Sequence, residues 1–136
     1  MKLRYVHPDN LHGDWDYLKA CIEKVFAKTD ERLMKVEDVY WQIKTNNCGA
    51  YVVGDHEGMV ILQPCPGWDG KELYIFMAYN DGTHDVVEMC LPEITEVAKT
   101  IGAKRLKFQS VRKGFGRYAE GIGFKQDHVL YSKELS

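Results

Sequence analysis

No run of 18 apolar residues occurs in this 136-residue chain, so nothing in it reads as a membrane-spanning helix. Its opening residues, Met1-Lys2-Leu3-Arg4-Tyr5-Val6, lack the apolar core of a secretory signal. Cysteine is sparse: Cys21, Cys48, Cys65 and Cys90 are far apart, and no Cys-x-x-Cys pair is present. They read as buried thiols of a reducing compartment rather than as a disulfide frame or a zinc site. The five histidines are scattered, which removes the usual metal-ligand spacings, and no metal is expected. Repeats, low-complexity tracts and linkers are missing too, so residues 1–136 are expected to form one domain in the cytoplasm. What remains is an ordinary globular composition, 45% hydrophobic with a net charge of −2.

The chain is organised around residues 71–110. Seven apolar or aromatic residues, Leu73-Tyr74-Ile75-Phe76-Met77-Ala78-Tyr79, are closed by Asn80-Asp81-Gly82. So short and continuous a run fits a strand buried on both faces. Val86 or Val87, Cys90, Ile94, Val97, Ala98 and Ile101 then recur at helical spacing, with Gly102 at the C-cap position. Arg105-Leu106-Lys107-Phe108-Gln109 alternates polar and apolar, as a half-buried strand does. Strand, helix and strand of these lengths form a βαβ unit with parallel strands.

Around it the chain reads as added layers. A first strand over residues 3–6 ends at the turn His7-Pro8-Asp9-Asn10. Asp14 is placed to cap a helix whose stripe is Trp15, Leu18, Ile22, Val25 and Phe26. In a second helix, residues 36–44, Val36, Val39, Tyr40 and Ile43 share a face. Trp41 falls off that face; it either packs on a neighbouring element or stands free as an aromatic for a substrate or partner. Residues 50–53 and 59–62 form a hairpin around Gly54-Asp55-His56-Glu57-Gly58. Residues 64–70 read as a rigid connection that leaves Trp68 partly exposed. A short helical piece near residues 114–120 and a last strand with Val129, Leu130 and Tyr131 complete the order β-α-α-β-β-β-α-β-α-β, a mixed sheet flanked by helices.

That order resembles the GNAT N-acetyltransferase superfamily. The likeness covers essentially the whole chain and rests mainly on topology. Its sharper marks are the hairpin Val53-Gly54-Asp55-His56-Glu57-Gly58, the helix end Ala98-Lys99-Thr100-Ile101-Gly102-Ala103, and Gly123-Phe124 before the last strand. Ser110-Val111-Arg112-Lys113-Gly114-Phe115-Gly116-Arg117-Tyr118 is similar to a signature of small GNAT-like proteins encoded by bacteriophages. The resemblance implies acetyl-CoA between the central strand and the parallel strand, with its pyrophosphate on the amides that open the long helix. The residues implied to bind it are Met77, Tyr79, Gly82, Thr83, His84 and Asp85. Many members place a tyrosine four residues before the glycine of the terminal Gly-Phe, to protonate the leaving thiolate. Here Ala119 holds that place, and Tyr118, one residue earlier, is the candidate acid or else a core or interface tyrosine. Glu72, at the start of the central strand, is the candidate base.

Charge tempers this reading. The family's Gln/Arg-x-x-Gly-x-Gly/Ala loop is replaced by Asn80-Asp81-Gly82-Thr83-His84-Asp85, and from Glu72 to Ala98 six carboxylates meet no lysine or arginine. Acids there repel a pyrophosphate. The expected function is therefore a GNAT fold with a degenerate acetyl-CoA site, a non-catalytic binding or structural module in a phage particle or on a host target. The alternative is an acetyl-CoA-dependent N-acetyltransferase acting on a small-molecule or protein amine. Residues 1–98 hold 9 basic and 17 acidic side chains, whereas residues 99–136 hold 9 and 3. The basic segment is either a solvated face or a docking surface for an anionic partner or a second copy. Arg112, Lys113 and Arg117, with Trp41 and Trp68 as apolar anchors, are its candidate contacts. Overall acidity argues against nucleic acid as the partner.

Overall fold

The computed structural model describes residues 2–28, 34–80, 86–108 and 119–125, together with residues 131, 133 and 135. Among them run β1 (Leu3–Val6), α1 (Leu11–Lys28), α2 (Val36–Lys44), β2 (Gly49–Val53), β3 (Gly58–Gly67), β4 (Gly70–Asn80), α3 (Val86–Thr100) and β5 (Arg105–Phe108). The five strands form one sheet in the order β1-β2-β3-β4-β5, antiparallel except for the parallel pair β4–β5. The central βαβ unit is therefore present. The last helix and strand expected from the sequence fall largely outside the described residues; of them, Ala119, Glu120 and Gly121 are helical.

Helices cover both faces of the sheet and make two cores. On one side Leu11, Leu18, Cys21 and Ile22 of α1 and Val39 and Ile43 of α2 pack with Ala50, Val52, Met59, Ile61 and Met77. On the other, Cys90, Ile94 and Ala98 of α3 pack on Val53, Val60, Leu62, Leu73 and Ile75. Both stripes follow the spacing of apolar residues. The helix ends are set by local chemistry. Gly102, at φ +77°, closes α3, with its N–H on the Lys99 carbonyl and that of Ala103 on the Ala98 carbonyl. Asn46, at φ 64°, plays the same part after α2, where the Asn47 N–H reaches the Gln42 carbonyl.

Three expectations need correction. Asp14 is not the cap of α1, because a 3-10 turn at Pro8–Asn10 starts the helix at Leu11. Asp14 instead receives a fork of hydrogen bonds from Arg4, at 2.9 and 3.2 Å, and the pair holds its carboxyl below the usual range. Residues 64–70 are not a connection but the turn end of a long β3–β4 hairpin, with Trp68 and Asp69 between the paired Gly67 and Gly70. Pro64 and Pro66 are tolerated because β2 pairs with β3 only as far as Leu62, leaving their outer edge open. Finally, β4 is not uniformly buried: Leu73, Ile75 and Met77 are, but Tyr74, Phe76, Ala78 and Tyr79 are only partly covered.

Candidate functional site

The feature that shapes a site is an irregularity in β4. Ile61 pairs with Met77 and Leu62 with Ile75, so Phe76 is one residue too many. Such a bulge breaks the alternation of faces. Leu73 and Ile75 point into the α3 core, whereas Phe76, Met77 and Tyr79 all belong to the α1–α2 core, and Ala78 returns to the α3 side. The described part of β5 pairs with β4 from Glu72–Arg105 to Ile75–Phe108, just before the bulge. Beyond the bulge, Met77–Asn80 pair with Gly58–Ile61 of β3.

Met77 and Tyr79, two of the expected cofactor contacts, lie just beyond the bulge. Their side chains face the α1–α2 core; Met77 is buried, and Lys24 stands over the Tyr79 ring at 5.4 Å from its centroid. Gly82, Thr83, His84 and Asp85 lie outside the described residues, as do Tyr118, Arg112, Lys113 and Arg117.

Glu72 lies four residues before the bulge, roughly 13 Å along an extended strand. Its side chain is only 8% exposed, with Oε2 3.1 Å from Arg105 and Oε1 3.2 Å from Lys107. Arg105 also clamps Asp69 with two hydrogen bonds of 2.7 and 3.0 Å. That bond to Arg105 pushes the Asp69 carboxyl down to about 2, and the two acids raise the Arg105 guanidinium above its ordinary value. The carboxylate slot is built from glycine: a Cβ at Gly67 would lie 2.5 Å from the Glu72 Cδ. Sequence reasoning missed this cluster. Its one signal was the alternation of Arg105 and Lys107 on a strand parallel to β4, whose register sets Glu72 opposite Arg105.

The two tryptophans named as anchors are both exposed, Trp41 at 60% and Trp68 completely, but on different elements. Trp41 follows Tyr40, whose ring lies 4.9 Å from that of Trp15. Cys21, Cys48 and Cys90 are buried and Cys65 is partly covered, all as free thiols. Burial pushes the Cys48 thiol up to about 11. Among the described residues no group of three metal-ligating side chains occurs, and no helix is long and apolar enough to cross a membrane.

No family model and no curated protein matches the chain in sequence. Solved structures do match it in shape. A ribosomal-protein-alanine N-acetyltransferase from Brucella melitensis biovar Abortus 2308 superposes with a TM-score of 0.74 at 13% identity, covering 98% of each chain. An aminoglycoside acetyltransferase from an uncultured soil metagenomic sample, in complex with sisomicin, gives 0.72 at 13% identity, over 99% of this chain and 96% of that one. An aminoglycoside N-acetyltransferase in complex with CoA gives 0.70 at 6% identity, over 98% and 93%. Identities this low speak for architecture alone: the chain has the mixed α/β fold of GNAT acetyltransferases.

Proposed function

We propose that this chain binds acetyl-CoA alongside β4 at its bulge and transfers its acetyl group to an amine, releasing CoA as the thiol. The observation that carries the reading is the bulge at Phe76 in a chain with the fold of GNAT acetyltransferases. Acetyl-CoA carries an extended arm rich in amides, of a kind that can lie alongside a strand. Phe76–Asn80 would hold it through main-chain groups, with Met77 and Tyr79 fixing the strand from the α1–α2 side. Acetyl-CoA would supply a thioester-activated acetyl group. The extra residue of the bulge, Phe76, has no partner on β3, and its N–H would be a fixed donor suited to a carbonyl oxygen that gains charge during transfer. Glu72 serves as an anchor for Arg105 and Lys107, holding β5 against β4 ahead of the bulge.

A second reading is favoured by one feature. From Glu72 to Ala98 six carboxylates meet no basic residue, and two of them, Asp81 and Asp85, flank Gly82 where a pyrophosphate would sit. On this reading the fold has lost cofactor affinity and serves as a binding or structural module, in keeping with the resemblance of residues 110–118 to phage-encoded proteins. Calorimetric titration of acetyl-CoA separates the two. Saturable binding by the wild-type chain supports the enzyme. Absence of binding that is restored in Asp81→Gly/Asp85→Arg supports the degenerate module, because the helix dipole remains to hold phosphate once the acids are gone. Absence of binding in both proteins contradicts the assignment of a cofactor site beside the β4 bulge.

A further inference from the structure

The β3–β4 hairpin ends in a feature that neither of the two cores uses. Trp68 is fully exposed at its tip. A tryptophan displayed in this way on a mobile loop would lose much of its docking energy to ordering, but this tip is already ordered. Trp68 and Asp69 form a two-residue turn between Gly67 and Gly70. Arg105 grips Asp69 through both carboxylate oxygens, and the backbone N–H of Lys104 donates to the Lys71 carbonyl at 2.8 Å. Gly70, at φ +139°, permits the turn and lies against the Lys104 side chain. Pro64 and Pro66 sit on the outer edge of the hairpin, where a missing N–H denies a further strand its hydrogen bonds. Edge-on pairing is thus disfavoured, and the tip is left as the surface that can dock.

The charge at the tip is one-sided. Among the described residues, Lys71, Lys104 and Arg105 are exposed around it, with one exposed carboxylate, Asp69, which Arg105 engages and Lys104 approaches at 4.0 Å. Glu72, behind them, is buried and shared by Arg105 and Lys107. We infer that the Trp68 hairpin tip is a preformed docking knob for a protein partner that presents an apolar pocket rimmed by aspartate or glutamate. Rigid aromatic anchors of this kind dominate interface energies, while a ring of complementary charge sets orientation and encounter rate. The tip is six residues from the bulge, roughly 20 Å along β4. Docking there leaves the proposed cofactor cleft uncovered, so the inference stands independently of the proposed activity.

The test is a selection of displayed random linear peptides on the wild-type chain, with counter-selection on Trp68→Ala. Selected peptides should combine an aromatic or aliphatic residue with flanking Asp or Glu. Their affinity should fall about 30-fold or more in Trp68→Ala. In Lys71→Glu/Lys104→Glu it should fall mainly through slower association, and mainly at low ionic strength. Circular dichroism checks that both variants are folded, and unchanged acetyl-CoA titration checks that the cleft is untouched. Peptides that bind Trp68→Ala as well as wild type, a basic consensus, or no enrichment would each overturn the inference. So would Trp68-dependent binding to anionic lipid vesicles or single-stranded DNA with no acidic peptide retained, which would assign the tip to a different class of partner.

Discussion

Replacing Gly67 by alanine tests the carboxylate slot. The new Cβ would lie 2.5 Å from Cδ of Glu72 and 2.7 Å from its Cγ and Oε2, so Glu72 must retreat by about 0.9 Å to reach ordinary contact at 3.4 Å. A free surface glutamate would swing away at little cost. This one is 92% buried and bonded at 3.1 and 3.2 Å to Arg105 and Lys107, and such a shift breaks both bonds. Forced displacement in a packed site costs about 1–3 kcal/mol, and the upper half of that range is expected because a buried carboxylate loses its partners. In urea melts followed by circular dichroism this lowers the midpoint by roughly 1 M. Gly13→Ala is the control: it lies inside α1 with nothing within 4 Å of its added carbon, and should stabilise by about 0.5–1 kcal/mol. In a Glu72→Ala background, Gly67→Ala should then add almost nothing, because the atom it strikes is gone. A Gly67→Ala midpoint equal to wild type, or additive losses in the double mutant, would refute the packing described.

Two further outcomes follow from the electrostatics. The Asp69 carboxyl titrates near 2 in the folded chain and near its ordinary value of about 3.9 when unfolded. Its stabilising effect is therefore complete above pH ~4 and lost as pH falls from ~4 toward ~2. Asp69→Asn should flatten that part of the urea midpoint-against-pH curve; an acid limb identical to wild type would contradict the Arg105 clamp. At pH 8 a water-soluble disulfide reagent should label Cys65 first, because Cys21, Cys48 and Cys90 are buried and the Cys48 thiol is pushed up to about 11. Labelling of four thiols at one rate in the native protein would mean that the two cores are not closed.

The order of elements through β5 was legible because each apolar stripe has a single period: 3.6 in α1, α2 and α3, and near 2 in β5. The hairpin around Gly54 was legible from its turn residues, and the end of α3 from Gly102. The bulge was not. Ile75, Phe76 and Met77 are all apolar, so the run from Leu73 to Tyr79 reads the same with or without an extra residue. Pro64 and Pro66 misled for a related reason. A proline says that no N–H is donated, but only the neighbouring strand decides whether one was needed, and β2 stops at Leu62. Glu72 was recognised as a notable acid, but its partners are Arg105 and Lys107, more than thirty residues away. Nothing local in either segment declares that their register sets them side by side. The remaining site residues named from the sequence, at positions 82–85, 112, 113, 117 and 118, lie outside the described residues.

The central claim is that β4, at and beyond its bulge, is where a cofactor is held. Backbone amide exchange and chemical shifts of residues 76–80, measured by NMR with and without acetyl-CoA, address it directly. Leu73 and Ile75, which lie where β4 is paired on both sides, are the internal reference. On adding acetyl-CoA the amides of residues 76–80 should become more protected and show the largest shifts in the sheet. Saturating acetyl-CoA that leaves residues 76–80 unprotected, or protects a different surface instead, would contradict it.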